Sequence, residues 1–126
     1  MKTLFVGIAG YKRMKERTLE IARGERKSAR NEPKIWFTSI ESFARVLSDK
    51  NRELLKLIHE QQPESLAELA EMSGRQKSNL SRTLKTMEHY GLVNMRRGPR
   101  GRLAPHVPYS HIKLDMNIGS PELYAH

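Results

Sequence analysis

Cysteine is absent from the 126-residue chain. Disulfides, thiolate metal sites and a thiol nucleophile are excluded together. No stretch approaches the roughly 18 uninterrupted apolar residues of a membrane helix, and the apolar run at residues 4–9 is too short for a signal-peptide core. The chain therefore reads as cytoplasmic, with no membrane partner. Neither a nucleophile-elbow GxSxG nor a phosphate-loop glycine pattern occurs, and the acids form no convincing pair for acid–base work. The histidines are scattered, and His106 and His111, on either side of Pro108, lack helical ligand spacing. No catalytic residue, metal or cofactor is expected, and internal repeats are missing as well.

Positive charge is what the chain has in excess: 23 lysines and arginines against 14 acids give a net charge of +9, and the isoelectric point is near 10.1. Such a balance attracts a polyanion before any motif is considered. Residues 75–102 hold eight bases against the single acid Glu88, and residues 1–30 hold nine bases against three acids. Residues 31–74 carry eight acids against five bases, so two basic zones flank an acidic stretch. A length of 126 residues suits one compact domain with an appended arm.

Local patterns divide the chain into three parts. Residues 3–9 (TLFVGIA) read as a short strand, residues 11–23 as a lightly amphipathic helix, and residues 24–33 (GERKSARNEP) as a polar linker. Residues 1–33 thus form a strand-helix arm for dimerisation or partner binding, residues 34–116 the main domain, and residues 117–126 a tail. In the main domain Trp36 and Phe37 read as core or as a dimer seam. A helix with Ile40, Phe43, Ala44 and Leu47 on one face follows Thr38 or Ser39 as its cap. A second helix, capped by Asp49, buries Leu54, Leu55, Leu57 and Ile58 and ends before Pro63. Ser65 with Glu68 makes a capping box for a third helix, which stops at Gly74. A fourth helix, near residues 76–89, turns Leu80, Leu84 and Met87 inward. Strand-like LVNM, the arginine-rich turn RRGPRGR and a return toward Val107 then make a basic hairpin, and residues 111–116 offer a strand to complete its small sheet.

The segment LAELAEMSGRQKSNLSRTLK resembles the helix-turn-helix of winged-helix transcription factors. Ala70 lets the helices approach, Gly74 permits the turn, and Leu80 anchors the second helix so that its other face points at DNA. The fold expected is mainly α with a small β-wing: a winged helix-turn-helix preceded by an N-terminal strand-helix arm. At about 100° per residue from Leu80, the face opposite the core takes Arg75, Ser78, Arg82, Lys85 and His89, with Asn79 and Ser81 on its flanks, and His89 is set aside as too near the helix C-terminus. Arg82 suits bidentate contact with guanine and Asn79 with adenine, whereas Lys77 and Lys85 suit phosphates. Ser65 and the hairpin residues Arg96, Arg97, Arg100 and Arg102 complete the set of DNA-binding candidates.

Residues 36–109, with WFTSIESFARVLS, the helix-turn-helix and the basic wing ending in Val107-Pro108-Tyr109, resemble a group of small MarR-like DNA-binding proteins. That resemblance extends to the arm and covers about residues 3–116. It implies a transcriptional repressor of double-stranded DNA, and some relatives look like autoregulating antitoxins of TumE-type toxin-antitoxin pairs, with a cognate toxin as partner. The alternatives are a stand-alone MarR-like ligand-responsive regulator and a protein-interaction module. A ligand sensor needs a pocket that so small a domain has few spare apolar residues to line. A homodimer is expected, because a lone strand at residues 4–9 would leave its backbone and Leu4, Phe5, Val6 and Ile8 uncovered unless another chain paired with it.

Overall fold

The computed structural model describes residues 2–9 and 33–118. Residues 10–32, where the arm helix and most of the linker were expected, and residues 119–126 of the tail lie outside that description. Four α-helices and five strands are present among the described residues, and they divide into two compact units.

One unit is a parallel sheet with a short helix. β1 (Thr3–Ile8) lies between β2 (Ile35–Phe37) and β5 (His111–Asp115), and both neighbours run parallel to it. Val6 pairs with Ile35 and Ile8 with Phe37 on one side; Thr3 pairs with His111 and Gly7 with Asp115 on the other. Val6, Gly7 and Ile8 are all buried, as expected of a central parallel strand covered on both faces. Bonds from Ala9 N to the Phe37 carbonyl and from Lys34 N to the Phe5 carbonyl, each 3.0 Å, prolong the β1–β2 ladder. Phe37 is fully buried and meets the Phe43 ring of α1 (Ile40–Val46) edge-on, centroids 5.4 Å apart. Ser39 caps α1, its Oγ accepting from Ser42 N at 3.1 Å. Gly7 sits beneath Trp36: a methyl group placed there would lie 2.6 Å from that ring.

This sheet overturns the expected winged helix-turn-helix, which was to be mainly α with one small β-wing. The strand at residues 111–115 does not complete the hairpin's sheet; it pairs with β1. Nor is β1 a lone arm strand in want of a partner chain, since both of its edges are taken within the chain. The physical reason is that parallel pairing joins segments distant in sequence and leaves no turn between them to read. A strand buried on both faces also lacks the alternation that would show which of its faces or edges is covered within the chain.

The second unit comprises Lys2 and residues 46–110. Its helices are α2 (Asp49–Gln61), α3 (Leu66–Ser73) and α4 (Lys77–Tyr90). Ser48, not Asp49, caps α2, its Oγ accepting from Asn51 N; Asp49 occupies the first turn, where a carboxylate suits the helix dipole. Ser65 caps α3 by accepting from Glu68 N at 3.1 Å, and Gly74 ends it at φ 72°, in the left-handed region that glycine enters without penalty. Leu54, Leu55, Ile58, Leu69, Leu80, Leu84 and Met87 make the core, closed by Leu92, Val93, Val107 and Tyr109. β3 (Asn94–Arg97) and β4 (Leu103–His106) form an antiparallel hairpin, with β4 against α2 and α3.

Two long-range bonds fasten the chain after the hairpin to the helices. His59 Nδ1–H donates to the Val107 carbonyl at 2.7 Å, and the Tyr109 hydroxyl donates to the Leu92 carbonyl at 2.6 Å. Tyr109 is 7% exposed, and burial pushes its phenol well above its ordinary titration range. Tyr109→Phe keeps the ring but strands the Leu92 carbonyl, so it should cost about 1–2 kcal/mol in urea unfolding. An unchanged midpoint would show that water satisfies that carbonyl instead.

Candidate nucleic-acid interface

α4 divides cleanly by face. Leu80, Leu84 and Met87 are at most 1% exposed, whereas Lys77, Ser78, Asn79, Ser81, Arg82 and Lys85 are all exposed to solvent. This follows from the helical period: Ser78 and Arg82 sit two residues either side of Leu80, about 200° around the axis. Gln76 precedes the helix as its N-cap and makes no side-chain cap bond, so the first-turn amides of α4 are free of that partner. Amides at a helix start favour an anion. With Lys77 beside them and no acid in the first turn, that end of α4 is suited to a phosphate.

The hairpin supplies a second basic element. Arg96, Arg97, Arg100 and Arg102 are exposed. Arg96 and Arg97 belong to β3 rather than to the turn, pairing with Ala104 and Leu103. The turn over Pro99–Gly101 is tight: Gly98 N donates to the Arg102 carbonyl at 2.6 Å, and Arg97 Nη1 donates to the Gly101 carbonyl at 2.7 Å. Arg100 has φ 63°, an uncommon backbone for a residue with a Cβ. At Gly98 a side chain would press on the Glu64 carbonyl at 3.2 Å, so the turn is seated against the segment leading into α3. His106, at the base of the hairpin, titrates below its ordinary value of 6.5, through desolvation first and then the charges of Arg96, Lys2 and His59. A positive field surrounds it.

Two candidates occupy other surroundings. Ser65 is 4% exposed and its hydroxyl is committed to the α3 cap, so it shapes the unit from inside. Arg75 lies in the turn before α4, and its guanidinium reaches the start of α2, bonding the Lys50 carbonyl at 2.9 Å and Asn51 Oδ1 at 3.3 Å. The structure therefore gathers Lys77, Ser78, Asn79, Ser81, Arg82 and Lys85 on one helix face and sets the four arginines on the hairpin, but turns Ser65 and Arg75 to internal partners. Asn51 was not singled out in the sequence, where nothing local marks it as a partner for a residue 24 positions on. A half-open cleft of about 440 Å³ also lies along α2 and α3, lined by Lys50, Glu53, Leu54, Leu57, Met72, Ser73 and Arg75.

The family model described as HVO_A0114 matches residues 46–114, more than half of the chain. The chain belongs to the HVO_A0114 family. The HVO_A0114 match opens at Val46, the first residue of the longer segment of the helical unit, and takes in α2, α3, α4 and the hairpin before running into β5. Every DNA-binding candidate falls within it. No curated protein and no solved structure matches the chain. Among the described residues, no helix is long and apolar enough to cross a membrane.

Proposed function

We propose that this HVO_A0114-family chain binds double-stranded DNA through the exposed face of α4, with the hairpin arginines on the phosphate backbone, and that it represses transcription in the cytoplasm. One observation carries the reading: a helix anchored by Leu80, Leu84 and Met87 shows solvent a continuous set of Lys77, Ser78, Asn79, Ser81, Arg82 and Lys85, with no acid before Glu88. Arginine and asparagine are the side chains that pair bidentately with guanine and adenine in the major groove, and the lysines neutralise phosphate. No catalytic step belongs to the proposal. Its antitoxin form, with autoregulation, a cognate toxin and a homodimer reading a pseudo-palindrome, rests on the sequence resemblance to MarR-like proteins.

Gel shifts on the DNA upstream of the gene, against random duplex, test this directly. Arg82→Ala should lose about 1–3 kcal/mol of preference for the upstream site, whereas Lys85→Ala should weaken both duplexes alike. Equal losses on both duplexes for Arg82→Ala would remove it from base reading. A parent protein that shifts neither duplex at low salt would overturn the proposal.

A further inference from the structure

The turn before α4 is held by side chains that a surface loop has no need of. Arg75 N donates to Ser73 Oγ at 3.2 Å, its Nη2 donates to the Lys50 carbonyl at 2.9 Å, and its Nη1 donates to Asn51 Oδ1 at 3.3 Å. Asn51 uses the other end of the same amide, donating from Nδ2 to the Val46 carbonyl at 3.0 Å, while its backbone N–H is taken by the Ser48 cap. One connected polar path thus runs from Val46, two residues before the α2 cap, through the first turn of α2, into the turn that launches α4. A carbonyl oxygen has two lone pairs, so the Lys50 carbonyl can take the guanidinium as well as its helical partner. The acceptors of the side chain are both neutral. A planar fork holds two such acceptors in a fixed geometry; an ammonium offers its donors from a flexible stem with no such fixed fork.

We propose that Arg75, with Asn51, is a positioning residue that fastens the α3–α4 turn to the start of α2 and so fixes the angle at which α4 meets DNA, rather than a residue that touches DNA. The inference rests on the DNA-binding reading of α4 and names what holds that surface in place. Gln76 caps α4 without a side-chain bond, and the Arg75 side chain one residue earlier ties the helix start to α2. A basic residue at this point would ordinarily be taken for a phosphate contact. The two roles separate through salt. A phosphate contact contributes about 0.9 to the slope of log affinity against log salt and survives replacement by lysine, whereas a positioning tie to neutral acceptors does neither.

The experiment measures binding of the full chain to upstream duplex across roughly 0.05–0.3 M salt, the range in which phosphate contacts show most clearly. Arg75→Lys and the uncharged change Asn51→Ala should each weaken binding about ten-fold with the parent's salt slope, and the double variant should be no weaker than either single one, as for residues acting as one unit. An Arg75→Lys protein that binds like the parent, with Asn51→Ala silent and Arg75→Ala flattening the slope by about 0.9, would make Arg75 a phosphate contact and overturn the inference. Additive losses in the double variant would overturn it as well. Thermal unfolding of the parent, Arg75→Lys, Asn51→Ala and the double variant reads the tie without DNA: coupling between the two positions is expected, and independent effects refute the tie. A parent that binds no duplex defeats the DNA reading and the placement of α4 on DNA, whatever that coupling shows.

Discussion

Replacing Arg96, Arg100 and Arg102 together with alanine should lower affinity for duplex DNA by about 10²-fold near 0.15 M salt and flatten the salt slope by about 2.7. Each phosphate contact contributes about 0.9 to that slope, which between 1 M and 0.15 M salt is worth about five-fold in affinity, and three such factors multiply. Arg97 is left in place because its Nη1 bonds the Gly101 carbonyl and helps close the turn. The fold should stand, since the three replaced side chains are exposed and substitutions at such positions usually move stability by less than about 0.5 kcal/mol. Circular dichroism checks this alongside the binding titration. An unflattened slope in a folded triple variant would take the hairpin out of the interface while leaving α4 in it.

The largest stability effect is expected in the sheet. Gly7→Ala sets a methyl group 2.6 and 2.8 Å from two carbons of the Trp36 ring and 3.0 Å from the Pro33 ring. Gly7 lies in the buried C-terminal half of β1, directly opposite Trp36 in the β1–β2 register, so neither backbone can back away without breaking the ladder. Overpacking of this kind costs about 2–3 kcal/mol. In a Trp36→Ala background only the 3.0 Å approach to the Pro33 ring remains, and the same change should cost about 1 kcal/mol, a coupling that a double-mutant cycle isolates. Because Trp36 is the sole tryptophan, the cycle is best followed by circular dichroism. Equal losses in both backgrounds would mean that the cost lies in the glycine backbone and not in the ring above it.

Legibility in the sequence followed the range of the interactions. Ser65 as cap and Gly74 as helix end involve partners within four residues, and both stand where the pattern placed them. The α4 core face was legible for the same reason, since Leu80, Leu84 and Met87 share a stripe fixed by the helix period. The hairpin was found with its first strand two residues early, because Leu92 and Val93 are strand-like in composition but serve as core anchors after Gly91. Asp49 reads as a cap in the sequence but Ser48 provides it, a shift of one residue between two good cappers. Arg75 precedes the N-cap Gln76, where the helical period that assigns it to the exposed face no longer applies. The parallel sheet was illegible. Its three strands lie in distant segments, and β5 is mostly exposed, so it carries almost no buried stripe to announce its partner.

That sheet also dictates an order of events during synthesis. β1 leaves the ribosome about 100 residues before the β5 segment that completes it, a wait of about 5–20 s at ordinary elongation rates. α2, α3, α4 and the hairpin are made entirely within that interval, and their contacts are largely between neighbouring segments, the kind that form fast. The nascent chain therefore carries the helices and hairpin of the basic unit while Val6 and Gly7 still lack one flank. For those seconds the β1 edge is a template open to any extended peptide in reach, and chaperone capture of the nascent chain should centre there.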